Sequence, residues 1–207
     1  MNPFLSTYKT PFETIPFSKI KNEHYLPALK KGIEIAQSEI QQITSNPDSP
    51  SFENTIEAME KTGEIINIVT SAFFNLNSAN TNDEMQSIAQ EISPLLTEYS
   101  NDIMVNKELF HRIKIVNDSG FEGLTKEQKT LLTKTCKSFL RNGANLNDND
   151  KRRLREIDIK KAQLSLTFGE NVLKENNEFK LIINQEKDLI GLPKSVIEAA
   201  SINAKNE

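Results

Sequence analysis

The sequence predicts an all-α protein, a bundle of long antiparallel helices with one short C-terminal β-strand. Three observations carry this expectation. Apolar side chains recur at three- and four-residue spacing along most of the chain, which gathers them on one side of a helix. Helix-start signals precede several of those stretches, with Thr81 ahead of Glu84 and Thr125 ahead of Gln128 in the spacing of a capping box. One segment alone, "EFKLIIN" at 178–184, alternates with a period of two, setting Phe179, Leu181 and Ile183 against Lys180 and Asn184 as a half-buried strand requires.

Residues 1–21 read as an extended arm, because Pro3, Pro11 and Pro16 forbid a continuous helix while Phe4, Phe12 and Phe17 are large apolar groups worth burying. Residues 22–176 form the helical domain. Asn22 is expected to cap a helix running to about Thr44, with Leu26, Leu29, Ile33, Ala36 and Ile40 as its stripe, and "SNPDSPS" turns the chain. A second helix runs from Phe52 through Ile56, Met59, Ile66 and Phe73 to Leu76, and Gly63 falls on its seam, where it would permit close approach of a neighbour. Thr81 and Glu84 start a third helix, whose apolar positions continue from Met85 to Val116 with a kink at Pro94.

"NDSGFEG" is a loop, after which Thr125 and Gln128 open a helix with Leu131, Leu132, Cys136, Phe139 and Leu140 inward and Gly143 at its end. A fifth helix starts near Asn147 and carries Leu154, Ile157, Leu164, Phe168 and Val172, with "KRRLR" on its exposed side. Residues 177–207 hold the strand and a last short helix opened by Pro193. No internal repeat is evident.

The 207 residues suffice for a real core, and 37% apolar with 26% charged residues is ordinary for a globular protein. A net charge of −4, from 25 basic and 29 acidic side chains, gives no general attraction to nucleic acid or anionic lipid. Apolar runs such as "LIIN" fall far short of the roughly 20 residues that cross a bilayer, so no membrane partner is expected. The N-terminus lacks a basic segment followed by an apolar one, which points to a cytoplasmic location, or a periplasmic one if a signal was removed. Cys136 is the one cysteine, which excludes an internal disulfide and any multi-cysteine metal site.

Neither histidine, His24 or His111, belongs to a close ligand pair, and the H-E-x-x-H pattern that sets two imidazoles one helical turn apart around zinc does not occur. His24 reads as a helix-start residue with a local hydrogen bond. Cys136 lies beside Leu132 and Phe139, where a thiol behaves as a small hydrophobe. The basic run Lys151, Arg152, Arg153, Arg155, Lys160 and Lys161 is interrupted by Glu156 and Asp158 and lacks interleaved aromatics, so it reads as a solvated or domain-facing surface. No catalytic, cofactor-binding or metal-binding residue is assigned.

Several stretches in order carry a resemblance: "NPFLSTYKTPFETIPFSKIKNEHYLPALKKGI" (2–33), "SFENTIEAME" (51–60), "ISPLLTEYSNDI" (92–103), "LFHRI" (109–113), "FLRNGANL" (139–146), "LSLTFGENVL" (164–173) and "LIGLPKSVIEAA" (189–200). Together they resemble the N-terminal region of the thimet-oligopeptidase-like zinc metallopeptidases, with the opening arm most similar to the bacterial peptidyl-dipeptidase and oligopeptidase A branch. The resemblance implies a considerably longer, almost wholly helical enzyme whose two halves enclose a substrate channel. It also implies that the zinc motif and its glutamate belong to the second half. Zn2+ is then a cofactor of the parent enzyme and not of this chain.

The expectation that follows is an inactive, channel-forming first region of a zinc-dependent oligopeptidase, whose partners are the C-terminal catalytic region and short peptide substrates. The partner of the "EFKLIIN" strand would lie beyond Glu207, and self-association of the fragment through that edge or an apolar surface is a further expectation. The competing reading is a free-standing helical module that binds a peptide or protein in a groove.

Overall fold

A computed structural model describes residues 2–205. It forms two compact units, residues 2–168 and 169–205. In the first, a run of single helical turns (Pro3–Leu5, Pro11–Glu13, Phe17–Lys19 and Asn22–His24) leads into α1 (Tyr25–Thr44). A π-helical segment, Phe52–Glu57, passes into the short α2 (Ala58–Glu60), followed by α3 (Glu64–Ala79), α4 (Asp83–Met104), α5 (Lys107–Asp118), α6 (Lys126–Arg141) and α7 (Asp148–Glu178). The last ten residues of α7 begin the second unit, which continues through the turn Glu186–Leu189 to α8 (Lys194–Lys205).

α1 organises the first unit because it packs against α3, α4 and α5. Its buried positions Tyr25, Ala28, Leu29, Gly32 and Ala36 recur at three- and four-residue spacing and join Val69 and Phe73 of α3 and Ile92 of α4 in one apolar cluster. The rings of Phe4, Tyr25 and Phe73 form a chain, with centroids 5.4 Å and 5.0 Å apart, and the second contact is edge-on. α1 and α3 approach closely at Gly32, where a Cβ would stand 3.0 Å from Cγ2 of Ile65. A second cluster joins Ile40 and Ile43 to Phe52, Leu109, Ile113, Leu132 and Phe139, and there the rings of Phe110 and Phe139 stack nearly parallel.

The helix starts follow local hydrogen-bond chemistry. Ser51 and Asn54 satisfy one another's backbone N–H groups, as do Thr125 and Gln128. At the other expected box the cap is Asn82, whose Oδ1 accepts from the Met85 N–H at 2.9 Å; Thr81 instead donates to Asn77 and Glu84 accepts from Asn22. The helix thus starts one residue later than expected, at an asparagine, a residue type that caps at least as well as threonine. Asn22 correspondingly does not cap α1. It sits inside a helical turn in which the Lys21 N–H donates to Nδ1 of His24 at 3.0 Å.

Other boundaries also depart from the sequence reading. The long helix expected from Phe52 to Leu76 breaks at Gly63, which takes φ +75°, a left-handed conformation that interrupts a right-handed helix. Gly63 thereby makes a corner, where a Cβ would stand 3.4 Å from the Tyr99 hydroxyl and 3.9 Å from Cβ of Ala36, and its N–H donates to Oε2 of Glu39 at 2.9 Å. α4 runs through Pro94, and the chain breaks later, at Val105, where Asn106 caps α5 by accepting from the Leu109 N–H at 2.9 Å. One missing intrahelical bond at Pro94 is outweighed by the burial of Met85, Ala89 and Ile92 along the same face.

The structure is all-α. Of residues 178–184, where a strand is expected, Glu178 ends α7 and 179–184 adopt no regular structure, and no strand occurs among the described residues. Alternation tells which side chains could share a face, but a strand exists only through ladder bonds, and no described segment supplies a second edge. Burial of the arm's aromatics also holds only in part: Phe4 is buried, whereas Phe17 is more than half exposed and Phe12, at φ +57°, is 98% exposed.

Candidate interaction surface

His24 is half-buried with its Nδ1 engaged in the turn ahead of α1, and Nε2 stands 3.9 Å from the Glu23 carboxylate. That is the local structural role expected of it. His111 is exposed on α5, while Cys136 faces the second cluster, where burial pushes its thiol pKa up and the Asp118 carboxylate adds to the effect against an opposing Lys114. A raised thiol pKa keeps the sulfur protonated and unreactive. The structure therefore does not bring the histidines and the cysteine together.

The basic run is mostly a solvated face, as expected, with Lys151 and Arg155 the members tied to the rest of the fold. Lys151 is buried, and its Nζ donates to the carbonyl of Val105 at 3.1 Å. That carbonyl belongs to the residue ending α4, so the ammonium satisfies an orphan acceptor and meets the negative end of the helix dipole. Arg155 pairs with Asp102 of α4, Arg153 with Glu156 at 2.7 Å, and Arg152 donates to Asn149. The Asp148 carboxyl is held below its usual range by a hydrogen bond and charge from Lys107, 2.7 Å away. Lys160 and Lys161 have no ion pair among the described residues.

Arg112, which sequence reasoning passed over inside "LFHRI", is a structural hub. It is buried, and its guanidinium donates to the carbonyls of Asn46 and Asp48 at 3.0 and 3.4 Å and to Oδ1 of Asn54 at 3.0 Å. These bonds hold the proline-flanked loop after α1 against α5. The signal for it was an arginine between Phe110 and Ile113, close to an apolar stripe where a solvated cation has no place.

Of the concave surfaces in the first unit, two bear on function. A groove between α1 and α4 presents Gln37, Gln41, Tyr99, Asp102 and Asn106 around Ile40. Burial, reinforced by Glu39, pushes the Tyr99 phenol pKa up, so Tyr99 offers a hydroxyl donor, while Asp102 already accepts from Arg155. The groove contains hydrogen-bonding groups without a histidine or cysteine and can hold a polar chain.

The other surface lies on α7, where Ile157, Lys160, Lys161, Leu164, Ser165 and Phe168 line an open depression. The sequence places this stripe inward, yet Ile157, Leu164 and Phe168 are 47%, 59% and 71% exposed. The helical spacing is as expected, but among the described residues of the first unit no other element covers the face. Only Leu166, on a different side of α7, packs onto the first apolar cluster.

Among the described residues no group of three His, Cys, Asp or Glu side chains could hold a metal ion, so the residues present do not fit a zinc site. No helix among them is long and apolar enough to cross a membrane. No family model matches the chain. Its sequence is 36% identical over the whole chain to dipeptidyl carboxypeptidase of Escherichia coli and 30% identical to oligopeptidase A of Haemophilus influenzae. A thimet-like oligopeptidase of Dictyostelium discoideum matches 86% of the chain at 28% identity. The chain spans 30% of the length of the first two of these relatives.

Proposed function

We propose that this chain, which matches along its whole length the N-terminal region of the thimet-oligopeptidase-like enzymes, serves a peptidase as the helical domain that shapes one side of a substrate channel. The supporting observation is the coverage: all of this chain aligns to 30% of each of two peptidases. In this reading the peptide-hydrolysing chemistry and its Zn2+ belong to the part of the enzyme outside this chain, and the domain contributes access and size selection. Substrates are short peptides able to enter the channel. The rigid packing of α1, α3 and α4 suits a wall, because a wall excludes folded proteins only if it does not yield.

Two experiments test this. The purified chain is expected to bind no stoichiometric zinc and to cleave no short peptide; robust metal-dependent cleavage by it contradicts the reading. A chimera in which this chain replaces the matched region of the Escherichia coli dipeptidyl carboxypeptidase is expected to cleave short peptides and to spare folded proteins. A folded, zinc-loaded chimera without peptidase activity, or one that digests folded proteins, defeats it.

A further inference from the structure

We propose that the α7 face from Ile157 to Phe168 receives an apolar helix edged with carboxylates, contributed by the portion of the peptidase outside this chain. The inference rests on the reading that the chain works within a longer enzyme and names the chemistry of its partner surface.

The first ground is the arrangement of the six residues that line the depression. Ile157, Lys160, Lys161 and Leu164 stand at i, i+3, i+4 and i+7, and Lys161, Leu164, Ser165 and Phe168 repeat the pattern one turn on. Four residues so spaced form the hole into which one side chain of a facing helix inserts, so the depression is two consecutive holes sharing an edge. Ser165 keeps the second hole open because its side chain is small. A helix supplies knobs at this spacing; an extended peptide, whose side chains alternate between faces, does not.

The second ground is charge. The other cations at the start of α7 have partners within the fold, Lys151 on the Val105 carbonyl and Arg155 on Asp102, whereas Lys160 borders the first hole and Lys161 both, neither with an ion pair among the described residues. Asp158, three positions before Lys161, makes no such pair with it. An arriving helix would desolvate the lysine stems and bring carboxylates to the ammonium groups.

A second copy of the chain is a poor occupant by the same criterion. Docking two copies of this face would place four ammonium groups in one small interface, and like charges so juxtaposed disfavour association. The 30% coverage of the relatives supplies a different source, since most of such an enzyme lies outside the aligned region.

The test uses Leu164→Cys in a Cys136→Ser background, with maleimide labelling of position 164 followed by mass spectrometry. Labelling is expected to be fast in the isolated chain and at least about tenfold slower in the Escherichia coli chimera, the usual consequence of burial. Equal rates overturn the inference. A second measurement uses synthetic helical peptides with a leucine seam flanked by glutamates or by lysines. The glutamate peptide is expected to bind the isolated chain more tightly, and Lys160→Glu with Lys161→Glu should reverse the preference; no binding, or no preference, overturns the assigned chemistry. A dimer abolished by Leu164→Glu would assign the face to a second copy and also overturns it. A chimera that cleaves peptides while position 164 labels freely defeats this inference alone, and an inactive chimera with position 164 protected defeats only the channel reading.

Discussion

α1 and the first two-thirds of α7 carry equally regular apolar stripes, yet one is enclosed and the other is open to solvent. Tyr25, Leu29 and Ala36 of α1 are buried against α3 and α4, while Ile157, Leu164 and Phe168 of α7 face outward. Periodicity therefore states which face of a helix is apolar, and only neighbouring elements decide whether that face is covered. In α7 the covered face is a different one, held by Lys151 at its start and Leu166 further on. Its regular stripe stays open to solvent in this chain.

The contrast can be broken first at the core. Phe73→Ala removes a fully buried ring that packs edge-on against Tyr25, and should cost about 3–5 kcal/mol, read as a lower midpoint of urea unfolding. A loss under about 1 kcal/mol would mean that the first cluster is not the stabilising core. Arg112→Leu comes next. It leaves the acceptors of the 46–54 loop without their charged donor, with an expected cost of about 2–3 kcal/mol and faster proteolysis within that loop.

Phe168→Ala, by contrast, should change unfolding free energy by no more than about 0.5 kcal/mol, because the ring is already solvated. A large destabilisation there would show that the stripe is covered within this chain. The smallest effect concerns Cys136. Burial raises its thiol pKa in the folded state, so the stability this gives is fully present below the unfolded thiol's pKa and is lost as pH rises through the folded one. Alkylation of the folded protein should therefore lag behind that of the urea-unfolded chain at neutral pH and gain on it above the ordinary cysteine range. Equal rates at every pH would place the thiol in solvent.

Much of the helical architecture is legible before any coordinates. The Thr125 and Gln128 box, the turn at Gly143 with φ +91°, and the buried set Leu29, Ala36 and Ile40 all follow from local rules. What misleads is context. Gly63 sits on a seam in sequence but also turns a left-handed corner, and the cap falls to Asn82, next to Thr81, because both residue types suit a helix start. The alternation of 178–184 is real, but alternation cannot provide a ladder partner. For the interaction surface, the sequence marks Ile157, Leu164 and Phe168 as apolar and cannot mark them as exposed. The run from Lys151 to Lys161 shows its charge in sequence but not that Lys151 alone is buried, and Arg112 is marked only by its place beside Phe110 and Ile113.

The most direct measurement is amide and side-chain protection along α1 and α7 in the isolated chain and in the Escherichia coli chimera. Protection of α1 should be strong and unchanged between the two, while the 157–168 stretch should gain protection only in the chimera. Equal protection of that stretch in both would contradict the assignment of α7 as a surface completed by the rest of a peptidase.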